Sequence, residues 1–241
     1  MGTLGTPRNI DQLLTALRPD SSPSLVWYGP GGERVELSGR VVDNWVAKTA
    51  NLLTEEFDAG PGTVVRLEMP PHWRSIVWAL ATWQVGACLS IGGSTPADIV
   101  ATTDPLHPAE DAWPARAQLV AVAPGALQLR WDGELPDGVM DYAAEVRAFA
   151  DYFADPAALD PAAAALEHPG GTISFGELLP PAETGGTSGP RHLLLPAAAG
   201  WTTVLAETLA TWLASGTVVL VHPEVEVTAR LLESERIDTQ L

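Results

Sequence analysis

Lysine is almost missing from this chain. Of the 13 basic residues only Lys48 is a lysine, and the rest are arginines. Any chemistry that needs an amine nucleophile or a compact ammonium has one residue to draw on. Cysteine is equally scarce. With Cys88 alone no intrachain disulfide can form, and its neighbours Gly86, Ala87 and Leu89 mark it as a small buried hydrophobe rather than a reactive thiol. Basic charge is in short supply: 13 Lys and Arg face 30 Asp and Glu, a formal net charge of −17. Nucleic acid needs basic surface to meet its phosphates, so no nucleic-acid partner is expected. Anionic membranes and anionic small molecules are disfavoured for the same reason, although a local pocket can override net charge. No apolar run reaches the ~18–20 residues of a membrane helix. Residues 1–10 carry no apolar stretch of the kind a secretory signal needs. A cytoplasmic protein outside the membrane is therefore the expectation. The histidines, at 72, 107, 168, 192 and 222, have no ligand-like spacing to one another, to Cys88 or to a carboxylate. No G-x-S-x-G nucleophile elbow occurs. Neither a metal site nor a catalytic residue is expected.

What the chain does have is core-forming material. Across 241 residues, 46% are apolar and 18% charged, the composition of a folded globular protein with one large domain or two small ones. Ile10, Leu13, Leu14 and Leu17 recur at helical spacing after Asn9, a suitable cap, and Pro19 ends the run. Leu25–Tyr28 and Arg34–Leu37 read as two strands of a hairpin around Pro30-Gly31-Gly32. From Ser38 an apolar face (Val42, Trp45, Val46, Thr49, Leu52, Leu53) continues to Phe57, and Gly60-Pro61-Gly62 stops it. Val64–Met69 alternates as a strand, and Pro71 suits the first turn of a helix that Gly86 closes. Strands are expected at Cys88–Ile91, Ile99–Thr102, Leu119–Val122, Leu193–Leu195 and Thr217–Val221. Helices are expected at Tyr142–Phe153, Trp201–Ala214 and Val227–Glu235. Thr172–Leu179 reads as a short strand running into a short helix. Alternating strands and helices predict an α/β fold of layered, mostly parallel sheets with flanking helices. Two subdomains are expected, 1–160 and 161–241. The nine tryptophans are read as core and helix–sheet packing.

The run from Arg34 to Ile91 carries a resemblance. V-E-L-S, the helix around N-W-V-A-K-T-A-N-L-L, the strand G-T-V-V-R-L-E-M-P and the helix ending L-A-T-W-Q-V-G-A follow one another as at the start of AMP-forming acyl-CoA synthetases. A second match runs from Leu193 through Gly216-Thr217-Val218-Val219-Leu220 to Ile237. More narrowly, N-W-V-A-K-T-A-N and P-P-H-W resemble a group of short bacterial proteins distantly related to those enzymes. The resemblance implies the fold of the N-terminal half of the adenylate-forming superfamily. The matching segments set topology and carry little chemistry.

The superfamily activates a carboxylate with ATP through a T-S-G-T-T-G-x-P-K-G loop. Thr184, Gly186, Thr187, Ser188 and Gly189 resemble that loop one residue short, with Arg191 where the lysine would stand. Hydroxyls and glycine amides there could form an anion-binding nest. The segment before it, Leu178 to Glu183, does not read as the strand that should present such a loop, so a plain loop is the competing reading. The family's later adenine, Mg²⁺ and hinge motifs have no counterpart among these residues. Lys48, on an early helix, reads as a solvated surface lysine. A second place to watch is His72 beside Trp73, at a helix start, as a possible pocket; a surface cap is its competing reading. Gly92-Gly93-Ser94-Thr95 reads as a tight turn after a strand. Together these point to an acyl-CoA synthetase-like protein without adenylation activity, serving as a binding or interaction scaffold. The alternatives are a reduced nucleotide-binding or adenylate-forming enzyme, using ATP and Mg²⁺, or one half of a split enzyme. A second copy or a partner protein is expected to cover the apolar edge.

Overall fold

The structure, a computed structural model, describes residues 6–106, 116–126, 128–154, 159–179 and 190–241. In chain order the helices are α1 (Ile10–Leu17), α2 (Gly39–Phe57), α3 (Trp73–Gln84), α4 (Tyr142–Glu145), α5 (Trp201–Leu213) and α6 (Ala229–Ser234). The strands are β1 (Pro23–Tyr28), β2 (Arg34–Ser38), β3 (Val64–Glu68), β4 (Cys88–Ser90), β5 (Ile99–Thr102), β6 (Gln118–Ala121), β7 (Met140–Asp141), β8 (Ala164–His168), β9 (Gly171–Ser174), β10 (His192–Pro196), β11 (Thr217–Val221) and β12 (Thr239–Gln240). No described helix is long and apolar enough to cross a membrane.

The chain forms two compact units, and neither is continuous in sequence. The first comprises Met1–Asp43, Pro70–Ile76 and Leu179–Leu241; the second comprises Asn44–Met69 and Val77–Leu178. This differs from a single cut at 160/161. The reason is strand pairing: β1, near the start, lies parallel to β11, near the end, with Val26 opposite Val219.

In the first unit the sheet order is β12-β10-β11-β1-β2. All neighbours are parallel except β1 and β2, which form the expected hairpin. Val26, Leu194, Val219, Val221 and Leu231 make one buried cluster. The four apolar residues of α1 are buried as their spacing predicts, and Asn9 caps the helix by accepting from the Gln12 amide. Trp212 on α5 is buried, and its Nε1 donates to the Ser24 carbonyl at 2.8 Å. A buried indole N–H usually finds such a partner.

In the second unit the order is β7-β6-β5-β3-β4-β8-β9, parallel throughout except for β9 against β8. Trp78 and Trp83 on α3 are fully buried. Trp83 donates to the Ala165 carbonyl at 2.8 Å, and Trp78 packs at 5.2 Å on Tyr142. The Tyr142 hydroxyl meets Thr49 Oγ1 of α2 at 2.7 Å.

Three expectations need correction. The helix predicted over Tyr142–Phe153 is one turn, α4, followed by a 3₁₀ turn at Val146–Ala148. The backbone then extends at Phe149 because α2 takes its carbonyls. Lys48 Nζ donates to Phe149 O, and Asn51 Nδ2 donates to Ala150 O at 2.9 Å and Tyr152 O at 3.0 Å. The same bond shows that Lys48 is not simply solvated; it is half-buried and ties two segments together. Ala164–His168, unassigned from sequence, is β8, paired to β4 and β9.

Candidate functional site

The functional candidates begin with the entry to α3. His72 sits at the cap position: its carbonyl accepts from Ile76 N at 3.1 Å, and its Nδ1 accepts from Arg74 N at 3.1 Å. Ser75 Oγ in return accepts from the His72 amide at 2.8 Å. This reciprocal capping satisfies donors that a helix start leaves open. It also fixes the tautomer. With Nδ1 accepting, the ring proton of neutral His72 resides on Nε2.

Around that imidazole the first unit gathers groups that are distant in sequence. Trp27, on β1, packs edge-on against His72 with ring centroids 4.5 Å apart, and against His222 at 6.0 Å. His222 directly follows β11, and its amide donates to Tyr28 O at 2.9 Å. Its Nδ1 accepts from Glu224 N at 3.2 Å, so it is held by its own backbone as His72 is. Trp73 lies 5.7 Å from His72. The Arg74 guanidinium, 2% exposed, stacks 4.3 Å over the Trp73 ring. Trp27 Nε1 donates to Glu33 Oε2 at 2.8 Å. Gly29 makes that bond possible, since a Cβ there would lie 2.6 Å from the same carboxylate oxygen and 2.7 Å from the indole nitrogen.

Burial lowers the His72 pKa to about 3, and the Arg74 guanidinium and then His222 push in the same direction. The ring is therefore neutral at pH 7. Trp27, Trp73 and Arg74 are buried, and of the cluster only His72 and His222 are partly exposed. They do not make a nucleophile–base pair. Among the described residues no group of three or more His, Cys, Asp or Glu could hold a metal ion.

The expected phosphate-binding residues, Thr184, Gly186, Thr187, Ser188 and Gly189, lie outside the described residues. Arg191, which follows them, is described. Its Nη2 pairs with Glu207 Oε2 at 2.7 Å and its Nε donates to Thr211 Oγ1 at 3.1 Å, both on α5. Its carbonyl accepts from Thr217 N at 2.8 Å, which places it at the N-terminal end of β10 and β11. His222 is at the other end of β11, across five residues of strand, roughly 16 Å at the usual rise. The structure thus brings His72 and Trp73 together with Trp27, Arg74 and His222. It does not bring Arg191 to them. The partners that sequence reasoning missed had one usable signal. Trp27 and His222 fall at or just past the C-terminal ends of parallel strands, where open α/β sheets bind ligands.

The fold has clear counterparts among solved structures. An acyl-CoA synthetase from Brucella canis superposes with a TM-score of 0.69 at 14% identity, over 96% of this chain and 46% of that one. The N-terminal subdomain of Klebsiella oxytoca NpsA, in complex with anthranilyl-AMSN, gives a TM-score of 0.66 at 13% identity over 100% of this chain and 60% of that one. In sequence, a protein of Mycobacterium tuberculosis described as a TIGR03089 family protein is 37% identical over 142 residues. That match spans 56% of this chain and 57% of the other. No protein-family profile matches. The fold is that of the N-terminal subdomains of acyl-CoA synthetases, and this chain spans about half the length of the Brucella enzyme.

Proposed function

We propose that this chain is a binding or interaction scaffold on the acyl-CoA synthetase N-terminal fold, without carboxylate-adenylating activity of its own. One observation carries the reading: Arg191, which stands where the resemblance puts the loop lysine, is committed elsewhere. Arg191 is held by Glu207 and Thr211 on α5, at the strand ends opposite the aromatic cluster. Adenylation needs positive charge poised where charge develops in the transition state. A guanidinium tied 2.7 Å from a carboxylate is poorly placed for that. The chain's single lysine, Lys48, donates to the Phe149 carbonyl. The partly exposed His72 and His222, backed by the buried Trp27, Trp73 and Arg74, mark the face we assign to binding. Incubation with ATP, Mg²⁺ and a panel of aliphatic and aryl carboxylic acids should release no pyrophosphate above a no-protein control. Steady turnover would contradict the proposal.

A second reading rests on the Klebsiella NpsA N-terminal subdomain, which is found in complex with anthranilyl-AMSN without the rest of its enzyme. On that reading this chain too binds a nucleotide-like compound. It predicts a rise in melting temperature with millimolar AMP or ATP, because a ligand that binds only the native state stabilises it. It also predicts that Gly189→Asp removes the rise. Absence of any shift rules it out.

A further inference from the structure

Residues 223–241 lie over one face of the first unit's sheet. Side chains alternate along a strand, so Val26 and Tyr28 of β1 share that face and Trp27 points to the other. The register sets Val219 and Leu194 beside Val26, and Val221 beside Tyr28. Val26, Leu194, Val219 and Val221 are buried there together with Leu231 of α6, and Val225, Leu232 and Ile237 pack against them. The apolar cover of this cluster beyond the sheet itself thus comes from a single stretch of chain.

That cover is thinly anchored. Of residues 223–241 only Leu231 is buried. β12 pairs with β10 through two residues, Thr239 and Gln240, whereas β10 and β11 pair through five. A segment with little buried apolar surface and exposed backbone bonds opens at lower free energy than the core it rests on.

One residue at the end of α6 fastens it. Glu235 Oε1 accepts from the Tyr28 hydroxyl of β1 at 2.5 Å and from Arg34 Nε of β2 at 2.9 Å. The Glu235 carbonyl meets His192 Nδ1 of β10 at 2.9 Å. The other charged groups at this junction are paired as well: Arg34 Nη2 donates to Glu36 Oε2 at 2.8 Å, and the His192 amide donates to Asp238 Oδ2 at 3.1 Å. Burial pushes the Glu235 carboxyl up, but the bonds from Arg34 and Tyr28 outweigh it and hold the group below the ordinary carboxylate range. Glu235 is therefore ionised at neutral pH, and charge-assisted hydrogen bonds are the strong ones.

We propose that residues 223–241 form a strap latched by Glu235, which opens as one unit while β1, β10 and β11 stay folded, and so bares the apolar face beneath it. Amide hydrogen exchange on the wild-type chain at pH 7 tests this. The amides of Leu232, Glu235, Ile237, Asp238 and Leu241 are all hydrogen-bonded when the strap is closed. They should share one protection factor, roughly 100-fold or more below that of β1 and β11. Glu235→Gln and Tyr28→Phe should each lower that shared factor about tenfold, with the second unit's amides unchanged. Strap amides that exchange as slowly as β11, or one by one with no common factor, overturn the proposal on the wild-type protein alone. Unchanged protection in both variants overturns the latch.

Discussion

His72 is a helix cap whose ring packs against Trp27. Capping fixes its Nδ1 on the Arg74 amide, and burial beside Trp27 keeps it neutral. The stability consequence has a definite sign. The folded-state pKa of about 3 lies below the unfolded value near 6.5, so between those values the unfolded chain binds more protons. Folding stability therefore falls as pH drops from about 7 towards 3. In His72→Asn, which keeps a capping side chain, the loss between pH 7 and pH 5 should be smaller than in the wild type. An equal loss in both proteins, measured by urea unfolding, would assign the acid sensitivity elsewhere. Tyr142→Phe makes a simpler prediction. It deletes a buried hydroxyl that meets Thr49 at 2.7 Å, and should cost about 1–2 kcal/mol. A change within error would mean that the pair contributes nothing net. At this scale the sequence showed which residues to watch but not their company. His72 and Trp73 are adjacent in the chain, whereas Trp27 and His222 reach them only through the parallel pairing of β1 with β11.

Among elements, long periodic helices and β-branched strands were legible and short or polar-tethered ones were not. α1, α2, α3 and α5 follow their apolar spacing, and β11 follows its T-V-V-L-V run. β8 was missed because Ala164-Ala165-Leu166-Glu167-His168 favours helix locally, and only its pairing with β4 and β9 makes it a strand. α4 was overextended because the bonds from Lys48 and Asn51 cannot be read from local pattern. Asn51→Ala should cost about 0.5–1.5 kcal/mol and speed amide exchange around residues 149–152. Unchanged exchange would show that the segment holds its shape without α2. The helix ends carry a further prediction. Asp58, Ser215 and Arg236, with φ of 51°, 60° and 53°, follow α2, α5 and α6. Each is followed by an amide that bonds back into the helix: Ala59 to Leu53, Gly216 to Thr211, and Ile237 to Leu232. These are left-handed helix caps without glycine. Glycine at any of the three should stabilise by about 0.5–1 kcal/mol, since the strain of a Cβ there outweighs the added backbone freedom. A loss of stability in all three variants would contradict the cap assignment.

For the whole molecule, the resemblance carried by Arg34 to Ile91 holds at the level of fold, with superposition over 96% of the chain on an acyl-CoA synthetase. The two units were not legible, because strand pairing joins segments from opposite ends of the sequence. Of the residues singled out in the sequence, Arg191 lies at the strand ends opposite the side chains that converge on His72, a separation that no local motif reveals. The central claim is that this fold, in this chain, does not adenylate. It is tested most directly by isotope exchange between labelled pyrophosphate and ATP, in the presence of Mg²⁺ and pooled carboxylic acids. Exchange reports the adenylation half-reaction even when no acceptor is present. The account predicts label in ATP no higher than in a protein-free control. Carboxylate-dependent, protein-dependent labelling of ATP would contradict it.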